Sequence, residues 1–240
     1  MRQCAIIGLD IFGLRALEEL IVFNIDILLI DKDEELIQSY KDKVSSAFVM
    51  DVTKLESVEK MIPKSIDVAI IDLGGNMEAS ILIIHYLKEL GIQQIVVTAD
   101  TDQHGKIFEI LGATMVVYPE REAIKRIIPL LVSPLLMNYF PISEDLIIAE
   151  VKVASKFTGK SLIQVDLRKN YQLNVIAIKN QENNKYQNFN PAYQFKNDDV
   201  ILVSGNEKDI SKFIQQPIKP QNKGLMSFIK GLFTTKKQKK

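Results

Sequence analysis

The residues of this chain with chemical potential are set apart by spacing rather than abundance. Gly8-Leu9-Asp10-Ile11-Phe12-Gly13 follows the apolar run 3–8 and opens a helical pattern over 12–23. The dinucleotide fingerprint is G-x-G-x-x-G. Its first glycine makes the tight turn, its second lets the backbone approach a pyrophosphate, and its third lets helix and strand pack closely. Gly8 and Gly13 supply the first and third. Asp10 stands where the second belongs, and a carboxylate there repels phosphate while its Cβ narrows the gap. The motif lies after a strand, before a helix and 18 residues ahead of Asp31, which makes it a strong fold signal. As a binding signal it is damaged.

Further acids and turns sit where such a fold binds ligands. Asp31 closes the second apolar run, where an acid hydrogen-bonds ribose hydroxyls or else caps the next helix. Asp51, in Asp-Val-Thr, faces an adenine edge or caps a helix. Gly74-Gly75-Asn76 follows the fourth run; its glycines allow close approach or a tight turn, and Asn76 reads as a helix cap. Glu120, after Pro119, stands at the mouth of the same cleft. It is a hard oxygen ligand for a cation, or an acid stabilising the positive end of a helix.

The elements that position these residues are legible. Short apolar runs at 3–8, 25–31, 46–50, 67–72, 94–98 and 114–118 alternate with helical patterns such as 12–23 and 77–90. Continuous apolar strands alternating with helices imply a parallel sheet covered on both faces. The fold class is therefore α/β, a Rossmann-like doubly wound sheet. The stretch 120–137 reads as one long helix with breaks available at Pro129 and Pro134. From Leu146 the pattern changes to strands at 146–154, 174–179 and 200–204. Short helices start near 158–161 and 205–209, giving a smaller α+β domain. The domains are set at 1–138, 139–215 and a tail at 216–240.

Several reaction classes find no support. His85 lies in an apolar helix and reads as a core or interface residue; His104 begins a helix and reads as a surface cap residue. Neither is in a metal motif. No G-x-S-x-G and no phosphate loop ending in Gly-Lys-Ser/Thr occurs. No pair of carboxylates is assignable to acid–base work. The single cysteine, Cys4, forms no internal disulfide and fits a reducing cytoplasm. No apolar run is long enough to span a bilayer.

The net charge is zero, with 30 basic and 30 acidic residues. The balance is uneven along the chain. Residues 216–240 hold seven lysines and no acid, so the first 215 residues carry −7. That body is no electrostatic partner for nucleic acid. Residues 216–224 read as a linker. Leu225, Met226, Phe228, Ile229, Leu232 and Phe233 follow at helical spacing, ahead of four terminal lysines. Such a basic amphipathic tail suits a membrane surface or a partner helix.

The chain resembles the cytosolic regulatory proteins of bacterial Trk/Ktr potassium uptake, which carry RCK (regulator of conductance of K+) domains. The resemblance rests on Ile-Gly-Leu-Asp-Ile-Phe-Gly at 7–13, Leu-Leu-Ile-Asp-Lys-Asp at 28–33 and Met-Asp-Val-Thr at 50–53. Gly-Gly-Asn-Met-Glu-Ala-Ser at 74–80, Leu-Gly-Ala at 111–113 and Tyr-Pro-Glu at 118–120 add to it. It implies regulation rather than catalysis. A homodimer assembles into a ring, usually of eight chains, beneath a membrane potassium-translocating subunit at the inner face of the cell membrane. ATP/ADP or NAD(H) exchange changes the ring's shape. By resemblance Gly8 and Gly13 line phosphates, Asp31 with Asp33 binds ribose, and Asp51 meets the base. Asn76 lies along the nucleotide, and Glu120 stands near a terminal phosphate or divalent cation. The stretch 120–137 crosses to a neighbouring subunit. The second domain pairs with its copy, in some members around cyclic di-AMP. Here Ile163, Val165, Arg168, Asn174, Ile176 and Pro191 are the matching positions, with Arg168 facing phosphate or stacking on adenine.

This chain departs from that pattern. The Ktr branch carries Gly-Arg-Phe-Gly where this one has Asp10-Ile11-Phe12-Gly13, so the phosphate-binding arginine is Ile11. Thr98 replaces a basic residue of the fifth strand. One lost charge-assisted contact costs about 1.5–3 kcal/mol. Nucleotide binding is therefore expected to be weak or absent. Two other readings stand beside the leading one: an NAD(P)-linked oxidoreductase and a free-standing cyclic di-AMP receptor.

Overall fold

A computed structural model describes residues 2–53, 58, 61–179 and 184–215. The chain divides into two compact units, residues 1–121 and residues 122 onward.

In the first unit six parallel strands form one sheet: β1 (Gln3–Ile7), β2 (Asp26–Asp31), β3 (Ser46–Val49), β4 (Val68–Ile71), β5 (Gln94–Thr98) and β6 (Met115–Val117). Their spatial order is β3-β2-β1-β4-β5-β6. The order reverses between β1 and β4, and an open α/β sheet offers its crevice at the carboxyl ends of such a pair. Successive residues explain why both faces are covered. Cys4 and Ile6 of β1 join Ile27 and Leu29 of β2 in one core, while Ala5 and Ile7 join Leu28 and Ile30 in the other. Helices α1 (Ile11–Ile21) and α2 (Glu34–Tyr40) bury Leu17 and Ile37 on the first face. Helices α3 (Met77–Glu89) and α4 (Asp102–Leu111) bury Ile83, Leu87 and Phe108 on the second. The doubly wound architecture anticipated from the alternating runs is present.

Helix α5 (Pro119–Val132) holds Pro129 within it and then stops. The long helix expected through residue 137 is not formed: Leu136 and Met137 belong to a strand, β7 (Leu136–Pro141). Pro134 explains the difference, because a proline disfavours helical backbone in the residue before it, here Ser133. The chain turns there, with the Leu136 N–H donating to the Ser133 carbonyl at 3.1 Å.

The second unit's antiparallel sheet adds β8 (Ile147–Lys152), β9 (Asn174–Lys179), β10 (Tyr186–Gln187) and β11 (Val200–Gly205), in the order β10-β9-β11-β8-β7. Helices α6 (Leu162–Val165), α7 (Leu167–Tyr171) and α8 (Glu207–Ile214) complete it. Its core is aromatic. Phe157 stacks on Phe213 at 5.4 Å between centroids, and Tyr171 meets Phe213 edge-on at 5.2 Å. Ser161 and Asn206 cap α6 and α8, as the turn residues at 158–161 and 205–209 suggest. Among the described residues no helix is long and apolar enough to cross a membrane. The amphipathic tail at 225–240 and the linker before it lie outside the described residues.

Candidate functional site

The first loop is built by close backbone packing. Gly8 has φ +89°, in the region that favours glycine. A Cβ there would overlap the Asp72 carbonyl oxygen, and one at Gly13 would overlap the Gly8 carbonyl oxygen. Both glycines are therefore demanded by the meeting of β1, β4 and α1. Gly8 also lines a cavity, whereas Gly13 is buried and lines neither cavity described here.

Asp72, at the end of β4, was not singled out from sequence. It is 5% exposed. Its Oδ2 accepts the Gly13 N–H at 2.7 Å and its Oδ1 accepts the Thr98 hydroxyl at 2.6 Å. Thr98 thus serves as a donor to a buried carboxylate. The available signal was an acid ending the otherwise apolar run Val-Ala-Ile-Ile at 68–71. Asp10, at the N-cap of α1, accepts the Leu14 N–H through its main-chain carbonyl at 2.9 Å, but its side chain makes no capping bond. A side chain at Gly74 would begin 3.3 Å from the Asp10 carboxylate, so the acid leans over the Gly74-Gly75 turn. Those glycines have φ +60° and +76°, which is the tight-turn reading.

The remaining acids of the cleft are held by backbone. Asp31 accepts the N–H of Leu9 and, at 2.8 Å, that of Asp33. Asp33 caps α2 through the N–H groups of Glu35 and Leu36 at 2.9 and 3.1 Å. Asp51 accepts the Thr53 N–H and hydroxyl at 3.1 and 2.8 Å. Asn76 caps α3 through the Ala79 N–H at 3.1 Å, the cap role read from its sequence position. Gly8, Asp10, Asp31, Asp33, Asp51 and Asn76 come together around one cavity of about 410 Å³. Leu36, Met50, Val52 and Leu73 give it an apolar wall and Lys32 a cation. Its size suits a small ligand.

Glu120 does not line that cavity. It lines a second one of about 610 Å³, with Ile11, Arg15, Asp100, Tyr118 and Arg121. Arg15 is paired with Glu18 at 2.6 Å. Arg121 is paired with Asp102 at 2.5 Å and lies over the Tyr118 ring at 4.1 Å. Glu120 sits in the first turn of α5, where an acid also complements the helix dipole. Among the described residues no group of three or more His, Cys, Asp or Glu is arranged to hold a metal. His85 is exposed, 3.5 Å from Glu89, and so is not a core residue of this chain. His104 donates its N–H to the capping Thr101 hydroxyl at 3.2 Å.

In the second unit the six positions separate by exposure. Ile163 is 65% exposed and Ile176 43% exposed, and Arg168, Asn174 and Pro191 are also exposed. The Ile163 N–H donates to the Pro191 carbonyl at 3.3 Å, which joins α6 to the loop before β11. Ile176 lies where the β9–β11 register shifts, and a bulge re-aims a side chain. Val165 differs: it is 4% exposed and packs in the core, supporting α6 from beneath rather than offering a surface. Nearby, Tyr193 donates to the buried Asp199 at 2.9 Å, and burial together with that bond pushes the phenol up to about 12.

Comparison with known proteins adds to this geometry. The TrkA-N domain matches residues 4–119 and the TrkA-C domain matches residues 146–216. Ktr system potassium uptake protein C of Bacillus subtilis is 32% identical over 214 residues, 88% of this chain and 96% of the relative. Ktr system potassium uptake protein A of the same organism is 28% identical over 214 residues, 88% of this chain and 95% of that protein. The fold recurs in the RCK domain of GsuK, at 14% identity and a TM-score of 0.61 over 92% of this chain. This chain spans about half, 48%, of that one. With a TrkA-N domain followed by a TrkA-C domain and this identity along nearly its whole length, the chain belongs to the family of the Ktr system potassium uptake proteins.

Proposed function

We propose that this protein is a regulatory gating subunit of a potassium uptake transporter and not an enzyme. The observation that carries the reading is 32% identity to Ktr system potassium uptake protein C over 96% of that protein's length. The partner is a membrane potassium-translocating subunit, beneath which the chain forms a homodimer and then a ring of eight. Its place is cytoplasmic and peripheral, at the inner face of the membrane. No role in binding nucleic acid is proposed, since the body is acidic.

Two ligand sites belong to the reading. The cleft of the first unit takes a nucleotide, ATP/ADP or NAD(H), weakened by Asp10 and Ile11. Asp31 and Asp33 serve the ribose and Asp51 the base, and Asn76 lies alongside. Gly8 and Gly13 shape the loop under the phosphates, and Glu120 supplies one ligand to a phosphate-borne cation. The second site is a cyclic di-AMP cleft between two copies of the second unit, with Ile163, Ile176, Pro191, Asn174 and Arg168 at its walls and Val165 behind. Two exposed isoleucines on a folded surface support it, since apolar groups of this kind gain from cover by a second copy. The tail at 225–240 contacts the membrane or the transporter.

The test is potassium uptake in a potassium-requiring bacterial strain carrying a Ktr-type membrane subunit, with and without this chain. Faster uptake that depends on the chain is expected. Equal uptake in both strains, with the chain expressed and folded, removes the reading. Co-sedimentation with anionic liposomes that is unchanged on deleting residues 225–240 removes the membrane role of the tail.

A further inference from the structure

We infer that Asp10 is a specificity-determining residue that sets the first unit's cleft against phosphate, so that it takes a nucleoside in preference to the corresponding nucleotide. This rests on the reading of that cleft as a nucleotide-derived site and names the ligand class it favours.

An aspartate at an N-cap ordinarily accepts the N–H of the second or third helical residue. Asp33, Asn76, Thr101 and Asn206 do so in this chain. Asp10 does not, because the Gly13 N–H, the third of α1, already donates to Asp72. The Asp10 backbone is extended, with φ −70° and ψ −174°. Among the described residues its carboxylate has no hydrogen bond or ion pair. A buried neighbour has taken over its capping duty, which leaves its charge free to face the cleft.

The place it faces matters. Asp10, Asp72 and Gly74 are the residues that line both the 410 Å³ cavity and the 610 Å³ cavity. Asp72 spends one oxygen on Gly13 and the other on Thr98, and Gly74 has no side chain. Asp10 is thus the free charge on the boundary. A ligand with its sugar beside Asp31 and its base beside Asp51 would carry phosphates past Asp10 toward the second cavity.

Little is available to offset that charge. The N-terminus of a helix is ordinarily an anion site, but here a carboxylate, Asp72, already accepts the Gly13 N–H. Arg15 and Arg121, which line the second cavity, already pair with acids, Glu18 and Asp102. Ile11, 79% exposed, contributes no charge. Lys32 lies between Asp31 and Asp33 on the ribose side of the first cavity.

The experiment is isothermal titration of the full chain with adenosine, ADP and ATP in EDTA, for the natural protein, Asp10→Asn and Asp10→Gly. In the natural protein adenosine should bind at least tenfold more tightly than ATP. Asp10→Asn, which keeps shape and removes charge, should move the adenosine-to-ATP ratio at least tenfold toward ATP. Asp10→Gly, which also reopens the backbone, should move it further. Melting curves identical to the natural protein's show that both variants fold. ATP binding more tightly than adenosine in the natural protein, or a ratio unmoved by Asp10→Asn, overturns the inference and leaves the cleft reading intact. No binding of any of the three ligands to any of the three proteins removes the cleft reading, and the inference falls with it.

Discussion

In the first unit the acids of the cleft other than Asp10 are held by main-chain N–H groups, Asp31 by Leu9 and Asp33, Asp72 by Gly13. In the second unit five of the six positions, all but the buried Val165, are surface side chains on elements whose core contains Phe157 and Phe213 with Tyr171 against them. The first candidate site is therefore positioned by polar bonds near strand ends, and the second candidate surface by aromatic packing. The bonds that hold the first cleft's acids lie within one chain. Surface residues of the second kind enclose a ligand only when another surface covers them. The difference implies that polar substitutions disturb the first site and apolar truncations the second.

The sharpest test of that difference is Phe213→Ala. Truncating a buried phenylalanine costs about 3–5 kcal/mol, and Phe213 is 2% exposed with two ring neighbours. Amide hydrogen exchange should show the loss in β8 and β11. Retained protection there would mean that packing does not position the second unit's surface. Next in size is Asp72→Ala, which strips partners from the Gly13 N–H and the Thr98 hydroxyl. An unsatisfied buried group costs about 1–3 kcal/mol. The loss should be read in urea unfolding and in faster exchange at the start of α1. A change of less than about 0.5 kcal/mol would show the bonds replaced by water and would weaken the comparison.

Much of the first unit was legible in the sequence because every strand there is a continuous apolar run and glycine ends the first one. The positions of Asp31, Asp51 and Asn76 followed from those strand ends. Asp72 was not legible as a site residue. Its partner Gly13 lies 59 residues away, and only the β1–β4 pairing brings them together. The separation of Glu120 from the first cavity was hidden for the same reason, since it depends on the pairing of β6 with β5. At the start of β7, Leu136 and Met137 read as helix in the sequence because apolar residues continue through Leu135, Leu136 and Met137 and conceal the change of period. The exposure of His85 was masked likewise by the apolar neighbours on both sides of it in α3.

A smaller effect in the second unit depends on pH. Burial raises the Tyr139 phenol to about 12, with the Glu207 charge adding, and raises Tyr193 to about 12, with Asp199 adding. The ordinary value is about 10. The folded state therefore holds these protons more tightly than the unfolded one. Their contribution is fully present below about pH 10 and is lost as pH rises from about 10 to 12. The urea midpoint of the second unit should fall across that window, and Tyr193→Phe should flatten part of the fall. A midpoint that stays level from pH 10 to 12 would mean these phenols are as well solvated as in the unfolded chain.

The smallest expected signal is the slowness of a reaction. Cys4 is buried in β1, and desolvation pushes its thiol up to about 11, against a small opposing pull from Arg2. At pH 8 only about one part in a thousand is thiolate, the reactive form. Iodoacetamide should label the native protein orders of magnitude more slowly than the chain in urea. Labelling at Cys4 then reports opening of the first sheet alone. Asp72→Ala, which loosens the β4–α1 junction beside β1, should speed it. Phe213→Ala should leave it unchanged, because its cost is paid in the second unit's aromatic core. If Phe213→Ala accelerated labelling as much as Asp72→Ala, the two units would share one opening event, and the contrast between a polar-bonded cleft and a packed surface would not extend to their stabilities.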